Sequence, residues 1–257
     1  MNRIHPTAVI NKKARLGNKV TVGPYTVIDG DVEIGEGCVI HSHVYIADGA
    51  RIGKNCHIHH GAAVATVPQD LKFSGEKTIL EIGDNVVIRE FCDLNRGTSH
   101  LGKSVIGSDS FLMAYTHVAH DCRVGENVIL ANGVQLAGHV TIEEKVTIGG
   151  LVPVHQFCVI GKHAFIGGGY RVVKDVPPYV LAAGEPLSFK GLNIVGLNRR
   201  GFEKEVIHKL QKCYRLIYRS KLNTSQAVRK VREEIALIPE VEAVLMFIEQ
   251  SERGIIK

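Results

Sequence analysis

Residues 28–58 read IDGDVEIGEGCVIHSHVYIADGARIGKNCHI, and an isoleucine returns at every sixth position of this stretch. The same step of six, extended outward from Ile4 to Val172, meets 29 positions, of which 26 are Ile, Leu or Val. Small or β-branched residues recur two places before these aliphatic residues, and glycine often follows them. This hexapeptide period is typical of a parallel β-helix, in which three hexads close one triangular coil around the aliphatic side chains.

The predicted β-helix has about nine coils and a length on the order of 45 Å at ~4.8 Å per strand. Each coil buries its apolar face only against its neighbours, so the column is expected to behave as one domain. The period breaks at Asp70 and Glu76 and again at His100, and it resumes in phase each time. These breaks predict two loops that leave the wall, ATVPQDLKFSGEKT (65–78) and GTSHLGKS (97–104), and loops on a rigid scaffold often carry function.

The C-terminal part of the chain has a different pattern. The β period stops at Val176-Pro177-Pro178, because proline cannot donate to a strand ladder. Helical spacing follows at Phe202, Val206, Leu210, Cys213 and Ile217. Thr224 or Ser225 is expected to cap a second helix over 227–237, and Pro239 to open a third that holds Val241, Val244, Leu245 and Ile248. The sequence thus predicts a mainly β fold, with a parallel β-helix over residues 1–180 and a small α-helical domain over residues 186–257.

Composition excludes several classes of protein. With 45% hydrophobic and 22% charged residues, the chain is not of the disordered, collagen-like or coiled-coil type. No apolar run approaches the roughly 18 residues of a membrane span, and residues 1–17 lack an apolar signal core, so we expect neither a transmembrane segment nor secretion. No nucleic-acid-binding motif occurs, and no nucleic-acid partner is expected.

Charge is unevenly distributed along the chain. Residues 1–185 hold 17 basic against 18 acidic residues, whereas residues 186–257 hold 14 against 8. The basic C-terminal part is either a binding surface for an acidic or phosphate-bearing partner or an ordinary solvated helical surface.

Five of the six cysteines fall in the small interior slot of the hexad, and Cys213 lies on the apolar helix face. Free cysteine behaves there as a small hydrophobic residue. No CxxC pair occurs, so we expect neither a metal site nor disulfides, and reduced thiols favour a cytoplasmic protein. The five are Cys38, Cys56, Cys92, Cys122 and Cys158.

Histidines cluster on successive coils between residues 117 and 156. Because a coil holds 18 residues, residue i lies beside residue i+18 on the next coil. His120 is therefore expected beside Gly138, and Gly138 beside Gln156, while Asp121 is expected beside His139. A stacked group of histidines next to a bare glycine favours a functional site over isolated structural histidines. The group comprises His117, His120, His139 and His155.

The chemistry open to this cluster is limited. No nucleophile elbow and no phosphate-binding GxxxxGK[ST] loop is present. A histidine without a nucleophile indicates general-base activation of a bound hydroxyl or amine. Gly138 offers a backbone N–H that no side chain shields, and such a donor stabilises an oxyanion. Asp121 is a weaker candidate for orienting His120, because adjacent residues of a strand point to opposite sides.

Seven strings carry a resemblance that spans nearly the whole chain. They are VPQDLKF (67–73), HVAHDC (117–122), LAGHV (136–140), VHQFC (154–158), DVPPYV (175–180), GLNIVGLNRRGF (191–202) and YRLIYRS (214–220). With them the chain closely resembles the UDP-N-acetylglucosamine acyltransferases that begin lipid A synthesis. The resemblance implies a left-handed β-helix, a C-terminal helical domain and a homotrimer without a cofactor.

The same resemblance implies an activity and its residues. It implies transfer of an (R)-3-hydroxyacyl group from acyl carrier protein to the glucosamine 3-position of UDP-N-acetylglucosamine. His120 matches the general base of the family, and Gly138 matches its oxyanion donor. The positions that match the sugar and diphosphate contacts are Asp70, Lys72, His117, His139, His155 and Gln156, and those that match the nucleotide contacts are Asn193 and Arg199. Acyl carrier protein is acidic, which suits the basic C-terminal part.

Departures from the family pattern leave details open. Val195 stands where many members have an acidic residue, which puts a ribose contact in doubt. Asn95 stands where many have a histidine, and some relatives acylate a 3-amino sugar. In the family an acyl-chain ruler lies near the GGG corner, where Gly168 leaves room while Phe165 and Tyr170 narrow the groove. The length of the acyl chain therefore stays open.

Three other readings remain. The first is a related hexapeptide enzyme, either the later N-acyltransferase of the same pathway, which carries an extra N-terminal uridine-binding domain, or a coenzyme A-dependent acetyltransferase. The second is a metal hydratase of the γ-carbonic-anhydrase type, which also mounts histidines on a β-helix. The third is a non-catalytic β-helix scaffold.

Overall fold

The computed structural model describes residues 1–257 and contains 27 short strands followed by four helices. In chain order the strands are β1 (Arg3–Ile4), β2 (Val9–Ile10), β3 (Arg15–Leu16), β4 (Thr21–Val22), β5 (Val27–Ile28), β6 (Glu33–Ile34), β7 (Val39–Ile40), β8 (Tyr45–Ile46), β9 (Ala50–Ile52), β10 (His57–Ile58), β11 (Ala63–Thr66), β12 (Ile79–Ile82), β13 (Val87–Ile88), β14 (Asp93–Asn95), β15 (Lys103–Ile106), β16 (Phe111–Leu112), β17 (His117–Val118), β18 (Arg123–Val124), β19 (Ile129–Leu130), β20 (Gln135–Leu136), β21 (Thr141–Ile142), β22 (Thr147–Ile148), β23 (Pro153–Val154), β24 (Val159–Ile160), β25 (Phe165–Ile166), β26 (Val180–Ala183) and β27 (Ser188–Leu192).

Every third strand of the column joins the same sheet, so three parallel sheets form the walls of a left-handed β-helix. Sheet 1 runs from β1 through β4 and β7 to β25, sheet 2 from β2 to β23, and sheet 3 from β3 to β24. β26 pairs in parallel with β25, and β27 then turns back antiparallel to β26. The predicted fold class is confirmed, and β26 and β27 continue sheet 1 beyond residue 180.

The aliphatic residues of the hexad fill the interior of the column. They are buried from Val22 to Val172, apart from the two phase breaks. No further coil covers the first coil at the N-terminal end of the column, so the side chain of Ile4 is 48% exposed. All six cysteines are buried and free, as the sequence predicts.

Glycine after the aliphatic residue is required by close packing between coils. A Cβ at Gly17 would lie 2.7 Å from the backbone N of Glu36, and one at Gly35 would lie 2.5 Å from the carbonyl O of Gly53. The positive φ angles of the corners fall instead two residues later, as at Lys19 (58°) and Tyr25 (58°). These glycines thus serve the approach of neighbouring backbones rather than a left-handed conformation.

Both predicted loops leave the wall between strands of different sheets. One spans residues 67–78 between β11 and β12, and the other spans residues 96–102 between β14 and β15. Across the first loop the paired residues are Ile58 and Ile88, 30 positions apart, and across the second His117 pairs with Asp93, 24 positions apart. Both separations are multiples of six, so the interior phase survives.

Four helices follow the column: α1 (Ile194–Arg199), α2 (Lys204–Arg219), α3 (Thr224–Glu234) and α4 (Pro239–Gln250). α1 was not expected from the sequence. The expected cap at Thr224 or Ser225 was wrong, because Asn223 caps α3 and forms a capping box with Gln226. Pro239 opens α4 as predicted. The hydroxyl of Tyr214 in α2 donates to the carbonyl of Pro178 (2.6 Å) and ties the helices to the column.

Candidate active site

A histidine–aspartate pair lies at the edge of the column where sheet 2 turns into sheet 3. Nδ1 of His120 is 2.9 Å from Oδ2 of Asp121. The expectation that adjacent residues would point apart was wrong here, because both lie in a corner and Asp121 has a φ of 58°. The left-handed conformation brings the carboxylate round to the ring of the preceding residue.

The Asp121 carboxylate is fixed by the loop of residues 96–102. Its oxygens accept hydrogen bonds from the backbone N (3.0 Å) and hydroxyl (2.6 Å) of Thr98 and from the backbone N of Leu101 (3.3 Å). Burial raises the pKa of Asp121, but the bonds from Thr98 and His120 outweigh it and hold the pKa below its usual value. An ionised carboxylate only accepts, so His120 carries its proton on Nδ1 and leaves Nε2 free as a base.

Gly138 lies directly against the His120 ring on the next coil, as the 18-residue spacing predicts. A Cβ at this position would be 2.6 Å from Cε1 and 2.7 Å from Nε2 of His120. A side chain at position 138 would overlap the space that the His120 ring occupies, so only glycine fits here. The N–H of Gly138 donates to no backbone or side-chain acceptor of the chain, whereas its carbonyl accepts from Phe157 N (3.2 Å). Gly138 thus presents an N–H without an acceptor in the chain, and its Cα lies against the ring of His120.

His139 completes this corner. Its ring centroid is 5.1 Å from that of His120, and its Nε2 is 3.9 Å from Oδ2 of Asp121. The ring stacks on Phe157 with centroids 4.5 Å apart. Burial lowers the pKa of His139, although the charge of Asp121 acts in the opposite direction. Burial thus favours the neutral form of His139 next to His120.

The remaining predicted sugar and diphosphate residues come from sheet 2, from the same corner two coils further on, and from the first loop. Nδ1 of His117 is 3.0 Å from Oδ2 of Asp93, and Nδ1 of His155 is 3.1 Å from the carbonyl of Gln156. In the loop of residues 67–78, the side chain of Asp70 accepts from the backbone N of Lys72 (3.0 Å). The negative charge of Asp70 reaches His139, whose pKa it raises slightly against burial.

Asn193 and Arg199 lie elsewhere on the single chain. Asn193 caps α1 and Arg199 ends it, beside a pocket of about 520 Å³ on the outer wall of sheet 1 that includes Ile129, Phe165 and Leu181. His120 stands on the edge between sheets 2 and 3, which in a triangular column is opposite sheet 1. One chain therefore does not bring these two groups of predicted residues together.

Three residues of the corner could in principle hold a metal ion. His120, Asp121 and His139 each offer one ligand atom, and these three atoms lie within 4.8 Å of one another. However, Oδ1 of Asp121 already accepts from two backbone N–H groups, and Oδ2 accepts from Thr98 and His120. A carboxylate has about four lone-pair sites, so none is left for an ion. The donor set fits a hydrogen-bonded base better than a metal centre.

Sequence reasoning missed two supporting residues. Thr98, which fixes Asp121, lies in the second loop, where the 18-residue spacing gives no partner. Asp93, which contacts His117, lies 24 residues before it, because the second loop adds six residues to that coil. The six-residue phase, counted through the loops, finds Asp93, whereas Thr98 lies 23 residues before Asp121 and follows no period.

Transferases built on this coil form a known class. Residues 13–48, 31–66 and 103–138 match the family model described as bacterial transferase hexapeptide (six repeats). The fold and these repeats place the chain in that class of transferases. Residues 175–256 match the model described as domain 2 of UDP-N-acetylglucosamine O-acyltransferase.

Full-length relatives narrow the class to one family. The chain is 49% identical to a protein of Thiobacillus denitrificans over 100% of both chains, and 50% identical to one of Aliivibrio fischeri over 99% of this chain and 98% of the other. Both are named acyl-acyl-carrier-protein UDP-N-acetylglucosamine O-acyltransferase. The crystal structure of LpxA, a UDP-N-acetylglucosamine acyltransferase from Bacteroides fragilis, superposes with a TM-score of 0.97 at 43% identity, over 98% of this chain and 99% of that one. The chain belongs to this family of UDP-N-acetylglucosamine O-acyltransferases.

None of the four helices combines the length and the apolar character needed to cross a membrane.

Proposed function

We propose that this chain transfers an (R)-3-hydroxyacyl group from acyl carrier protein to the 3-hydroxyl of UDP-N-acetylglucosamine, the first step of lipid A biosynthesis. The observation that carries the proposal is the His120–Asp121 pair packed against Gly138, whose N–H has no acceptor within the chain. The full-length likeness to enzymes named for these two substrates supports the choice of donor and acceptor.

The reaction follows from the atoms of the corner. Nε2 of His120 takes the proton of the sugar 3-hydroxyl while that oxygen attacks the thioester carbonyl. The carbonyl oxygen becomes an oxyanion and accepts the N–H of Gly138. Collapse of the intermediate re-forms the carbonyl and breaks the carbon–sulfur bond, and the His120 imidazolium returns the proton to the leaving thiolate. Asp121 stabilises the imidazolium throughout.

The substrate contacts are proposed for the residues around this corner. Lys72 is assigned to the diphosphate, because its exposed side chain lies on the loop beside the histidines. Asp70, His117, His139, His155 and Gln156 are assigned to the sugar and diphosphate, and Asn193 and Arg199 to the nucleotide. No metal and no cofactor takes part in these steps.

A homotrimer is proposed because the site is incomplete in one chain. The outer wall of sheet 3 carries ion pairs, with Nε of Arg51 3.3 Å from its strand partner Glu33 and Nζ of Lys103 2.8 Å from Glu81. Sheet 1 instead presents apolar residues on the same rungs, among them Val87, Phe111, Ile129 and Phe165. We infer that sheet 1 of one copy faces the histidine edge of another, which places Arg199 opposite His120. Six free buried cysteines suit the proposed cytoplasmic location.

Mass spectrometry of one reaction mixture tests the function. Purified protein is incubated with UDP-N-acetylglucosamine and a panel of 3-hydroxyacyl carrier proteins, with His120→Ala as the control. We expect the UDP-sugar to gain one hydroxyacyl mass with the wild type only, and the panel gives the chain length. If product forms only with the 3-amino sugar, the acceptor is an amine rather than a hydroxyl. If His120→Ala turns over as fast as the wild type, His120 is not the general base.

A further inference from the structure

A second histidine–carboxylate pair lies directly before the first, with its histidine three residues ahead of His120 on the same coil. His117 on β17 and Asp93 on β14 are directly paired in sheet 2, and both occupy the outward-facing position of their strand. Nδ1 of His117 is 3.0 Å from Oδ2 of Asp93, and the two side chains are 21% and 34% exposed. The distance is close to the 2.9 Å of the His120–Asp121 pair, but the carboxylate comes from the preceding coil.

Asp93 is held by further hydrogen bonds of its own. Its oxygens accept from the hydroxyl of Thr66 (2.8 Å) and the side-chain amide of Gln69 (3.0 Å), and Thr66 in turn accepts from the amide of Asn95 (2.7 Å). Burial raises the pKa of Asp93, but the bonds from His117 and Thr66 outweigh it, so the pKa is lower than usual. The carboxylate is therefore ionised near neutral pH and acts only as an acceptor.

Two consequences follow from this arrangement. The proton of His117 is fixed on Nδ1, which leaves Nε2 as the atom open to a ligand. Gln69 belongs to the loop of residues 67–78, which also carries Asp70 and Lys72. Asp93 thus joins the ring of His117 to the loop that bears two of the proposed substrate contacts.

We propose that Asp93 is a positioning residue for His117. It fixes the tautomer in which His117 Nε2 accepts a hydrogen bond from a substrate hydroxyl, and it anchors the loop of residues 67–78 against that ring. This inference rests on the proposed function only for the identity of the substrate, since the pairing and the tautomer are properties of the free protein.

The tautomer is tested directly by NMR of protein with 15N-labelled histidine. The signals of His117 are assigned as those that disappear in His117→Ala. In the wild type they are expected to show the Nδ1–H tautomer. In Asp93→Asn the amide donates to Nδ1, so His117 is expected to change to the Nε2–H tautomer while His120 keeps its signals. An unchanged His117 in Asp93→Asn would overturn the proposal.

Kinetics test whether the pair matters for turnover. Asp93→Asn is expected to lower kcat/KM by roughly 10- to 100-fold, the range seen when the carboxylate that orients a metal-bound histidine is removed. The same change in the His117→Ala protein is expected to have no further effect, because Asp93 acts through His117. Additive losses in the two variants would refute this coupling, and so would an Asp93→Asn enzyme with wild-type kcat/KM.

Asp29→Asn is the matched control. Asp29 accepts from the hydroxyl of Tyr45 (2.8 Å) on the same side of the column but near its N-terminal end. The Asp29→Asn variant is expected to keep the wild-type kcat/KM and the wild-type NMR signals of His117. A wild-type protein that transfers no acyl group would refute the proposed function, while the NMR result would still decide the role of Asp93.

Discussion

The contact between Gly138 and the ring of His120 sets how close the base lies to the oxyanion donor. Gly138→Ala keeps the N–H but adds a methyl group 2.6 Å from Cε1 of the ring, which has to move. We expect kcat to fall by ~10²-fold, since a displacement of about 1 Å is enough for such a loss. The His120 side chain is 14% exposed and borders the surface, so the unfolding midpoint should stay within ~4 °C of wild type.

The measurement is steady-state kinetics beside a thermal melt. Wild-type kcat in Gly138→Ala would mean that the ring does not rest on this glycine during turnover. A large fall in the melting midpoint would mean that the residue serves the fold rather than the base.

At this scale the sequence predicts neighbours but not contacts. The 18-residue coil places His120 beside Gly138 correctly, because side chains on adjacent coils share a wall. It does not predict the bond from His120 to Asp121, which depends on the left-handed backbone of Asp121. The pairing of His117 with Asp93 was also missed, because it requires the exact length of the second loop.

Two asparagine caps allow the role of α1 to be separated from general helix stability. The side chain of Asn193 accepts from Gly196 N (3.1 Å) and donates to the carbonyl of His163 (3.1 Å), which holds α1 against the column. Asn223 caps α3 in the same way, accepting from Gln226 N (2.9 Å). Each change to alanine is expected to cost about 1 kcal/mol of stability.

Only Asn193→Ala is expected to raise KM for UDP-N-acetylglucosamine, by about 10-fold or more, because Asn193 is itself assigned to the nucleotide and α1 carries Arg199. Asn223→Ala should leave KM at the wild-type value. The two variants are compared by titrating the UDP-sugar at saturating acyl carrier protein and by chemical denaturation. Equal KM values in both would show that nucleotide binding depends neither on Asn193 nor on the placement of α1.

Elements that follow a period were predicted well, and those without one were not. The strands and α4 repeat their apolar residues at regular steps, so their places follow from the sequence. α1 has six residues with a glycine among them, too few to show a helical period. The residue before Thr224 was overlooked as a cap, although asparagine is a preferred one.

The shape of the whole molecule was predictable in part. Periodicity requires a triangular column, because three hexads are needed to close a coil. It does not determine the hand of the coil, which follows from backbone geometry and came from the family resemblance. It also does not say how copies assemble, since Arg199 and His120 are far apart in sequence and lie on different walls.

A mixing experiment tests whether two copies build each site. His120→Ala and Arg199→Ala each remove one half of the proposed site, so each alone should show little activity at UDP-sugar concentrations below KM. Co-expressed in equal amounts, they form cyclic assemblies in which a site between two copies receives both intact residues in about a quarter of cases. We expect the co-purified mixture to recover roughly a quarter of wild-type activity. If each site lies within one chain, every site keeps one defective residue, and the mixture stays as inactive as its two components. The control is a mixture of the two variants made after separate purification, under conditions without subunit exchange.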